Sequence, residues 1–583
     1  MDKRTDNLSN RNRYFVRGAF HRFFIPAVMS SFWMAVAAVV DSIFVGNRFG
    51  AAGLAAISFG QPIYLFYNIL SYGFSIGGSI YYAGLLAEGK AEEGNRIFLT
   101  IVRLLLGIYL ITGSLGLIFL PRLMVLLGTN ISDSITRTYV QTQLIFVPIM
   151  FLQGPFYYFV NADNGPKTAA FAMSVSGITD TVFSYIFIIR MRLGVAGSVY
   201  STVVGALLML LITGRHIVKK KGELRFCFAK MDWHAVPLAA KTGFATSLQY
   251  LYQFVTMIAV NHLLMRLGGE AAVAAFDVVY NISLLSNSFS EAAVVASEPM
   301  LSSYRSERNL GNIRITLHLT LFWAEFHSAL FSVILILFSR WFSILFGMST
   351  GIELQFTSMG VRIFALSILP AAANYIFSGY YQTIFQEWLA YLITFLRSFV
   401  LYLVALFLCS LKGMDTFWYV FLLAEVLTLM IWIPVSLLRG GLYQLSRIHA
   451  EKASTAMITG SDQDINRVVQ QMQDFCEVHG AEEKQTMYIG LTIEEICCAI
   501  VERFRDSMGE IYIQATVVVE EDGATLYLRD NAFAYDPLSE NTEGIDLEEG
   551  RQLELVGLRI VQKKAKEFYY RRYSGFNTLV IQL

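Results

Sequence analysis

The hydrophobic and polar positions divide the chain in two. From about residue 24 to residue 438, apolar runs of roughly twenty residues alternate with short polar or basic connections, and twenty apolar residues are what a helix needs to cross a bilayer. Twelve such runs are read, at 24–46, 58–84, 98–120, 138–160, 169–189, 194–217, 236–265, 271–298, 315–339, 355–380, 386–409 and 414–438. Beyond a basic connector, Arg439 to Ala450, the period changes. A strand near Ser454 to Thr459 leads to Ser461 or Asp462 as a helix cap, after which Ile465, Val468, Val469, Met472 and Phe475 recur at helical spacing until Gly480. The pattern then predicts a helix at 483–507, strands at 510–519 and 524–529 around Glu521-Asp-Gly523, and a polar loop at 531–551. A helix at 553–567 and a hairpin turning at Ser574-Gly-Phe-Asn577 complete it. The expected architecture is an all-α membrane body of twelve transmembrane helices, residues 1–450, followed by a soluble α+β sandwich, residues 451–583.

Composition supports the membrane body, since 55% of residues are hydrophobic and only 15% charged, outside the range of ordinary soluble domains. A formal net charge of zero conceals a division: residues 1–450 carry net +11 and residues 451–583 net −11. Lys and Arg concentrate at the N-terminus and in the even-numbered connections, including Lys219, Lys220 and Lys221. By the positive-inside rule both termini face the cytoplasm of a multi-pass protein of the cell membrane. The five cysteines show no Cys-x-x-Cys spacing and imply no disulfide framework. The first 23 residues are basic and polar, without the apolar core of a signal peptide.

The body repeats itself. Gly50-Ala-Ala-Gly-Leu-Ala-Ala56 recurs as Gly269-Glu-Ala-Ala-Val-Ala-Ala275, Gly94-Asn-Arg-Ile97 is echoed by Gly311-Asn-Ile-Arg314, and Gly194 matches Gly413. A shared offset near 218 residues gives two six-span lobes, about 20–217 and 236–438, in parallel orientation. In such repeats the substrate lies between halves that rock against each other. Within this apolar body stands Asp41. A carboxylate at mid-bilayer depth costs roughly 2.5 to 3.5 kcal/mol and marks an ion or substrate pathway. Asp180 is the second carboxylate within the apolar runs of the first lobe. Asp277, Glu291, Glu298, Glu325 and Glu425 also fall in apolar runs, either lining a cavity or pairing with Arg103, Arg397 or a backbone group. Pro26 reads either as a helix start or as a functional bend.

Pro26, Asp41-Ser-Ile-Phe-Val-Gly46, Leu54-Ala-Ala56, the loop Gly84 to Arg96, Gly194 to Thr202, and Glu298-Pro-Met-Leu-Ser-Ser-Tyr304 with Gly311 and Arg314 resemble the multidrug and toxic compound extrusion (MATE) transporters over residues 20–440. The resemblance implies an antiporter exporting amphipathic, cationic small molecules in exchange for H+ or Na+, with no cofactor required. It also implies a coupling-ion site of Asp41, Tyr139, Asp180, Ser184 and Thr202, with Na+ held at Asp41 and Asp180 if sodium is the ion. The family places Asn then Asp four residues apart on the fifth span, whereas this chain has Asp180 then Ser184, moving the acid one turn along the same helix face.

The tail motifs Leu491-Thr-Ile-Glu-Glu-Ile496, Leu528-Arg-Asp-Asn531 with Tyr535-Asp-Pro537, and Leu555-Val-Gly-Leu558 resemble the GHKL ATPase fold, nearest its anti-sigma-factor kinases. The resemblance implies Glu494, Glu495, Asp530 and Gly557 as nucleotide-binding positions. Cys498 and Ala499 stand where that family has a Mg2+-holding Asn, and Ala532 replaces a glycine. Neither Cys498 nor Ala499 can act as a hard-cation ligand, so ATP turnover is not expected. The tail is then a nucleotide sensor or a degenerate module binding a cytosolic protein. The bilayer and a small-molecule substrate are the expected partners, with no nucleic acid. Alternative readings are a membrane-anchored signalling protein acting through the tail, and a lipid flippase of the same superfamily.

Overall fold

A computed structural model of the protein describes residues 3–87, 90–163, 165–226, 230–349, 351–445, 450–458, 461–504, 511–520, 523–536, 560, 562–573 and 576–583. The first lobe comprises α1 (Lys3–Ala87), α2 (Ala91–Ile118), α3 (Leu120–Leu127), α4 (Ser134–Ala162), α5 (Pro166–Ser184) and α6 (Ala196–Val218). The second comprises α7 (Ala235–Ser306), α8 (Leu310–Leu345), α9 (Gly351–Thr383), α10 (Glu387–Phe395), α11 (Leu401–Ser410), α12 (Met414–Phe417) and α13 (Tyr419–Leu438). Among the described residues nine helices are long and apolar enough to cross a membrane, so the body is a multi-pass membrane fold. Of the expected spans, 24–46 and 58–84 fall within α1, and 236–265 and 271–298 within α7, which is not one of the nine.

The sequence repeat has a backbone counterpart. α1 breaks at Gly50 (φ 62°, ψ −148°) and α7 at Gly269 (φ 63°, ψ −155°). This region of backbone space belongs almost solely to glycine, so the repeated glycines make the same turn in each lobe. α5 runs into a π-helical turn, Tyr185–Arg190, and α10 into another, Leu396–Val400, again in matching places. Contacts between the lobes are reciprocal. Asn281 Nδ2 of α7 donates to Ser42 Oγ of α1 (3.1 Å), while Asn261 Nδ2 of α7 donates to Ser58 O of α1 (2.9 Å). Asn261 stands 219 positions after Ser42, the same interval that separates Gly50 from Gly269, so one surface is used twice about a pseudo-twofold axis.

Pro26 is exposed and lies well inside α1, which starts at Lys3, so the helix-start reading is corrected. A proline there removes one main-chain hydrogen bond. The first turns of α1 pack on the second lobe: Phe15, Phe20 and Phe24 share a core with Met300, Leu301, Tyr304 and Trp432. The connector after α13 is anchored, with Tyr381 donating to Leu442 O (2.7 Å) and Tyr380 to Tyr443 O (2.8 Å). In the first lobe the loop after α6 is held by buried Asp163, which accepts from Tyr82 (2.7 Å) and from the Glu223 and Leu224 amides (2.8 and 3.1 Å).

The tail folds as β1 (Ala453–Ile458), α14 (Asp462–Val478), α15 (Glu483–Phe504), β2 (Ile513–Glu520), β3 (Gly523–Asp530), β4 (Glu567–Tyr573) and β5 (Phe576–Gln582). The strands form a small sheet of order β1-β2-β3-β5-β4, antiparallel throughout. Ile465, Val468 and Met472 of α14 and Ile489, Ile493 and Ile500 of α15 bury against Ile513, Ala515, Val517, Leu526 and Ile581 on one face. Most of the helix expected at 553–567 lies outside the described residues, but Glu567 opens β4, a correction at that boundary. Cys409, Cys476, Cys497 and Cys498 are free thiols; Cys227 lies outside the described residues.

The other face of the sheet meets the membrane body. Residues of β2 that alternate away from α14 and α15 are buried as well: Gln514 and Thr516 are each 1% exposed. Gln514 Nε2 donates to Asn12 Oδ1 (2.9 Å), and Asn12 Nδ2 donates to Asn312 Oδ1 at the start of α8 (2.7 Å). Arg529 of β3 donates to Glu307 Oε1 (2.5 Å) and Ser303 Oγ (2.6 Å) and lies over the Tyr304 ring. Arg308 pairs with Glu520 beside it. Burial pushes the Glu307 carboxyl above its usual range while the Arg529 charge pulls it back.

Candidate functional site

The first lobe gathers its acids and hydroxyls at one place. Asp41 lies on α1 nine residues before the Gly50 turn, Tyr139 near the start of α4, Asp180 and Ser184 on α5, and Thr202 on α6. Asp133 caps α4 by accepting from the Ile135 and Thr136 amides (3.1 and 3.2 Å), which sets the register that carries Tyr139 inward. Thr202 Oγ1 faces both carboxyl oxygens of Asp180 at 3.3 and 3.4 Å. Ser184 and Ser201 hydroxyls meet at 2.6 Å, and Ser201 donates to Ser198 O (2.7 Å). Asp41 lies within electrostatic reach of Asp180 and contacts Ser184, and Tyr139 lies within reach of Asp41, Asp180 and Ser198. The five residues singled out in the sequence therefore share one cluster, in which Tyr139 and Ser184 are buried and Asp41, Asp180 and Thr202 half-buried.

Two features show what this cluster can do. Asp41 Oδ1 is buried without a hydrogen-bond partner among the described residues. An unsatisfied carboxylate oxygen is costly, and a bound proton or cation would satisfy it. Among the described residues no Arg, Lys or His forms an ion pair with Asp41 or Asp180. The second lobe differs. There Glu425 is bound by Arg397 through Nη2 (2.6 Å) and Nε (3.1 Å), and Asn374 donates to it through Nδ2 (2.7 Å) while its Oδ1 accepts from Trp432 Nε1 (2.7 Å). Glu425 is thus closed within a structural pair. Glu291 and Glu298 are exposed, and Glu325 is half-buried.

Asp277 belongs with the first-lobe cluster although its chain segment is in α7. It is buried, accepts from Asn281 Nδ2 (3.1 Å), contacts Ser42 beside Asp41 and lies within reach of Tyr139. The sequence marked Asp277 only as one of several second-lobe acids, and the reciprocal lobe contact is what carries it across. The sequence also left open which aromatics line the space between lobes. Tyr72 of α1 stacks on Tyr250 of α7 with centroids 4.8 Å apart, Tyr158 sits 5.9 Å from Tyr72, and Tyr64 packs on Phe151 at 5.3 Å. Aromatic faces of this kind hold cations and planar apolar groups.

In the tail, Glu494 is exposed and Glu495 half-buried on α15, while Asp530 is 4% exposed at the end of β3. Asp530 accepts from Asn577 Nδ2 (2.7 Å) and the Ala532 amide (2.8 Å), and burial pushes its carboxyl up to about 6. Gly557 lies outside the described residues. Among the described residues no group of three His, Cys, Asp or Glu side chains is placed to hold a metal.

The profile of the MatE family matches residues 26–186 and 242–410, one block in each lobe. The chain belongs to the MatE family. Members of this family are secondary transporters rather than enzymes. Among curated proteins it is similar to "Probable multidrug resistance protein YoeA" of Bacillus subtilis (strain 168), 27% identical over 279 residues, which are 45% of this chain and 58% of that protein. The chain thus spans little more than half the length of that relative. Among solved structures it is similar to the inward-facing conformation of a multidrug resistance MATE family transporter of the MOP superfamily, with TM-score 0.65 at 17% identity, covering 71% of this chain and 96% of the other. It is also similar to the MATE multidrug transporter DinF-BH, with TM-score 0.58 at 21% identity, covering 73% and 96%. At these identities the likeness is one of fold.

Proposed function

We propose that this protein is a secondary active antiporter that exports amphipathic, cationic small molecules in exchange for H+ or Na+. In this reading α1 and α7 are each two spans hinged at Gly50 and Gly269, giving twelve in all, with both termini in the cytoplasm. The observation that carries the proposal is the first-lobe cluster, in which Asp41 has an unpartnered buried oxygen and, among the described residues, no ion pair satisfies either it or Asp180. A proton or Na+ arriving there replaces charge repulsion with a satisfied site, and its departure restores the repulsion; this is the differential interaction that any coupled equilibrium needs. Asp277, joined to the same cluster through Ser42, gives the second lobe a direct stake in that occupancy. The tyrosines between the lobes supply a surface suited to a planar cation. The tail acts as a regulatory module clamped to the second lobe by Arg529 and Glu307.

Everted vesicles supplied with a fluorescent cationic dye test this reading. The parent chain should accumulate dye under an imposed proton or sodium gradient, and Asp41→Asn should abolish that accumulation at unchanged expression. Undiminished gradient-driven uptake by Asp41→Asn would refute the assignment.

A further inference from the structure

A cavity of about 560 Å3 opens on the seam between the first turns of α1 and the tail, lined by Tyr14, Phe15, Arg17, Gly18, His21, Arg22, Tyr512, Asn531 and Phe576. Its volume is that of a small-molecule site, and no Asp or Glu is among the described lining residues. Three of them are cationic or can become so. Arg17 and His21 are one helical turn apart on α1, and Arg22 follows directly, its guanidinium over the Phe576 ring at 4.7 Å. Aromatic rings from α1 and the tail complete the lining: Tyr14 meets Tyr512 at 5.7 Å and Phe15 meets Phe576 edge-on at 5.1 Å. Asn531 closes the floor, its Oδ1 accepting from the Tyr512 amide (2.8 Å). This is a different place from the Asp530 carboxyl, which pairs in register with Ile513 on the helix-covered side of the sheet.

Depth narrows the ligand. One turn further along α1, Ile25 and Met29 are 58% and 59% exposed, and on α8 Phe322 and Phe326 are 61% and 51% exposed, as lipid-facing side chains are. His21 meets Trp323 edge-on at 5.2 Å, and tryptophan marks the headgroup level. The arginines therefore sit where lipid phosphates sit. We propose that this cavity binds a phosphate ester, with Arg17 and Arg22 holding the phosphate and the rings of Tyr14, Tyr512 and Phe576 bracketing the group attached to it. Guanidinium groups recognise phosphate through charge-assisted hydrogen bonds. Position makes an anionic phospholipid of the same leaflet one source, and a soluble nucleotide of the same chemistry the other. A ligand there contacts α1 and the tail together, and so fastens the tail to the membrane body.

The test uses the purified full chain in phosphatidylcholine nanodiscs with and without phosphatidylglycerol. Native mass spectrometry counts retained phosphatidylglycerol, and calorimetry in plain phosphatidylcholine nanodiscs titrates ATP and inorganic phosphate. Arg17→Gln with Arg22→Gln should weaken retention or binding by about tenfold or more. Arg13→Gln, an exposed arginine outside the cavity, should leave it unchanged, and Tyr14→Ala, at a 66% exposed ring, should weaken it without lowering the melting temperature. Arginine-dependent retention of phosphatidylglycerol identifies the lipid source, and arginine-dependent ATP binding identifies the soluble one. If no probe binds, or if Arg13→Gln weakens binding as much as the double variant does, the site is overturned.

Discussion

The acids of the two lobes differ in their partners. Arg397 and Glu425 satisfy each other within the second lobe, and a buried pair loses about 3–5 kcal/mol when one member is removed. Arg397→Ala should therefore lower the melting temperature of the purified protein markedly. Dye binding at the tyrosines between the lobes should persist wherever the variant is folded, a combination that thermal shift and dye fluorescence measure together. Asp41 and Asp180 were legible in the sequence because a carboxylate within an apolar run stands out. Asp277 was visible for the same reason, but its place in the cluster was not, since Ser42 and Asn281 come together only through the packing of α1 on α7. In the tail Asp530 makes a pH prediction. Its folded pKa of about 6 lies above the usual carboxylate value, so the folded domain holds a proton more tightly than the unfolded one between about pH 4 and pH 6. The contribution of Asp530 to stability is greatest below that window and falls as pH rises through it, by about 3 kcal/mol in all. Asp530→Asn should abolish this slope while keeping the hydrogen bonds from Asn577 and Ala532. Hydrogen exchange of the β3 and β5 amides, compared between parent and variant at each pH, reads the difference.

At the scale of elements, the turns at Gly50 and Gly269 carry the sequence repeat into the backbone. Three short matches at one offset predicted two parallel lobes, and the shared dihedral angles at the two glycines give that repeat a physical cause. A Cβ at either position meets no atom within 4 Å, so substitution is resisted by backbone strain and not by crowding. Gly50→Ala or Gly269→Ala should each cost about 1–3 kcal/mol, seen as similar falls in melting temperature, the two lobes behaving alike. Unequal effects would count against a common turn. The tail elements β1, α14, α15, β2 and β3 were legible from alternation and helical spacing. What local pattern does not carry is the exposure of the second sheet face. Gln514 and Thr516 look like the solvent side of an ordinary half-buried strand, yet both are buried against the body. Polar residues satisfied by polar partners across an interface carry the same local pattern as residues facing water. The boundary of β4 was misplaced for a related reason, because Lys563, Lys564 and Lys566 continue a helix-compatible run up to Glu567.

At the scale of the whole molecule, the reciprocal contacts of Ser42 with Asn281 and of Ser58 with Asn261 make the meeting of α1 and α7 a symmetric interface, on which an asymmetric chemistry has been placed. Among the described residues, the first lobe keeps Asp41 and Asp180 without ion-pair partners, while the second has locked Glu425 to Arg397. The tail and the first turns of α1 both rest on the second lobe, the one whose acid is locked. The central claim is that ion occupancy at Asp41 and Asp180 drives the rocking. Proteoliposomes carrying the Asp41→Asn, Asp180→Asn double variant test it most directly, with gradient-driven transport of a cationic dye measured beside equilibrium binding of the same dye. The account predicts that binding survives and that neither a proton nor a sodium gradient moves the dye. Gradient-driven transport at the parent rate in the double variant would contradict it.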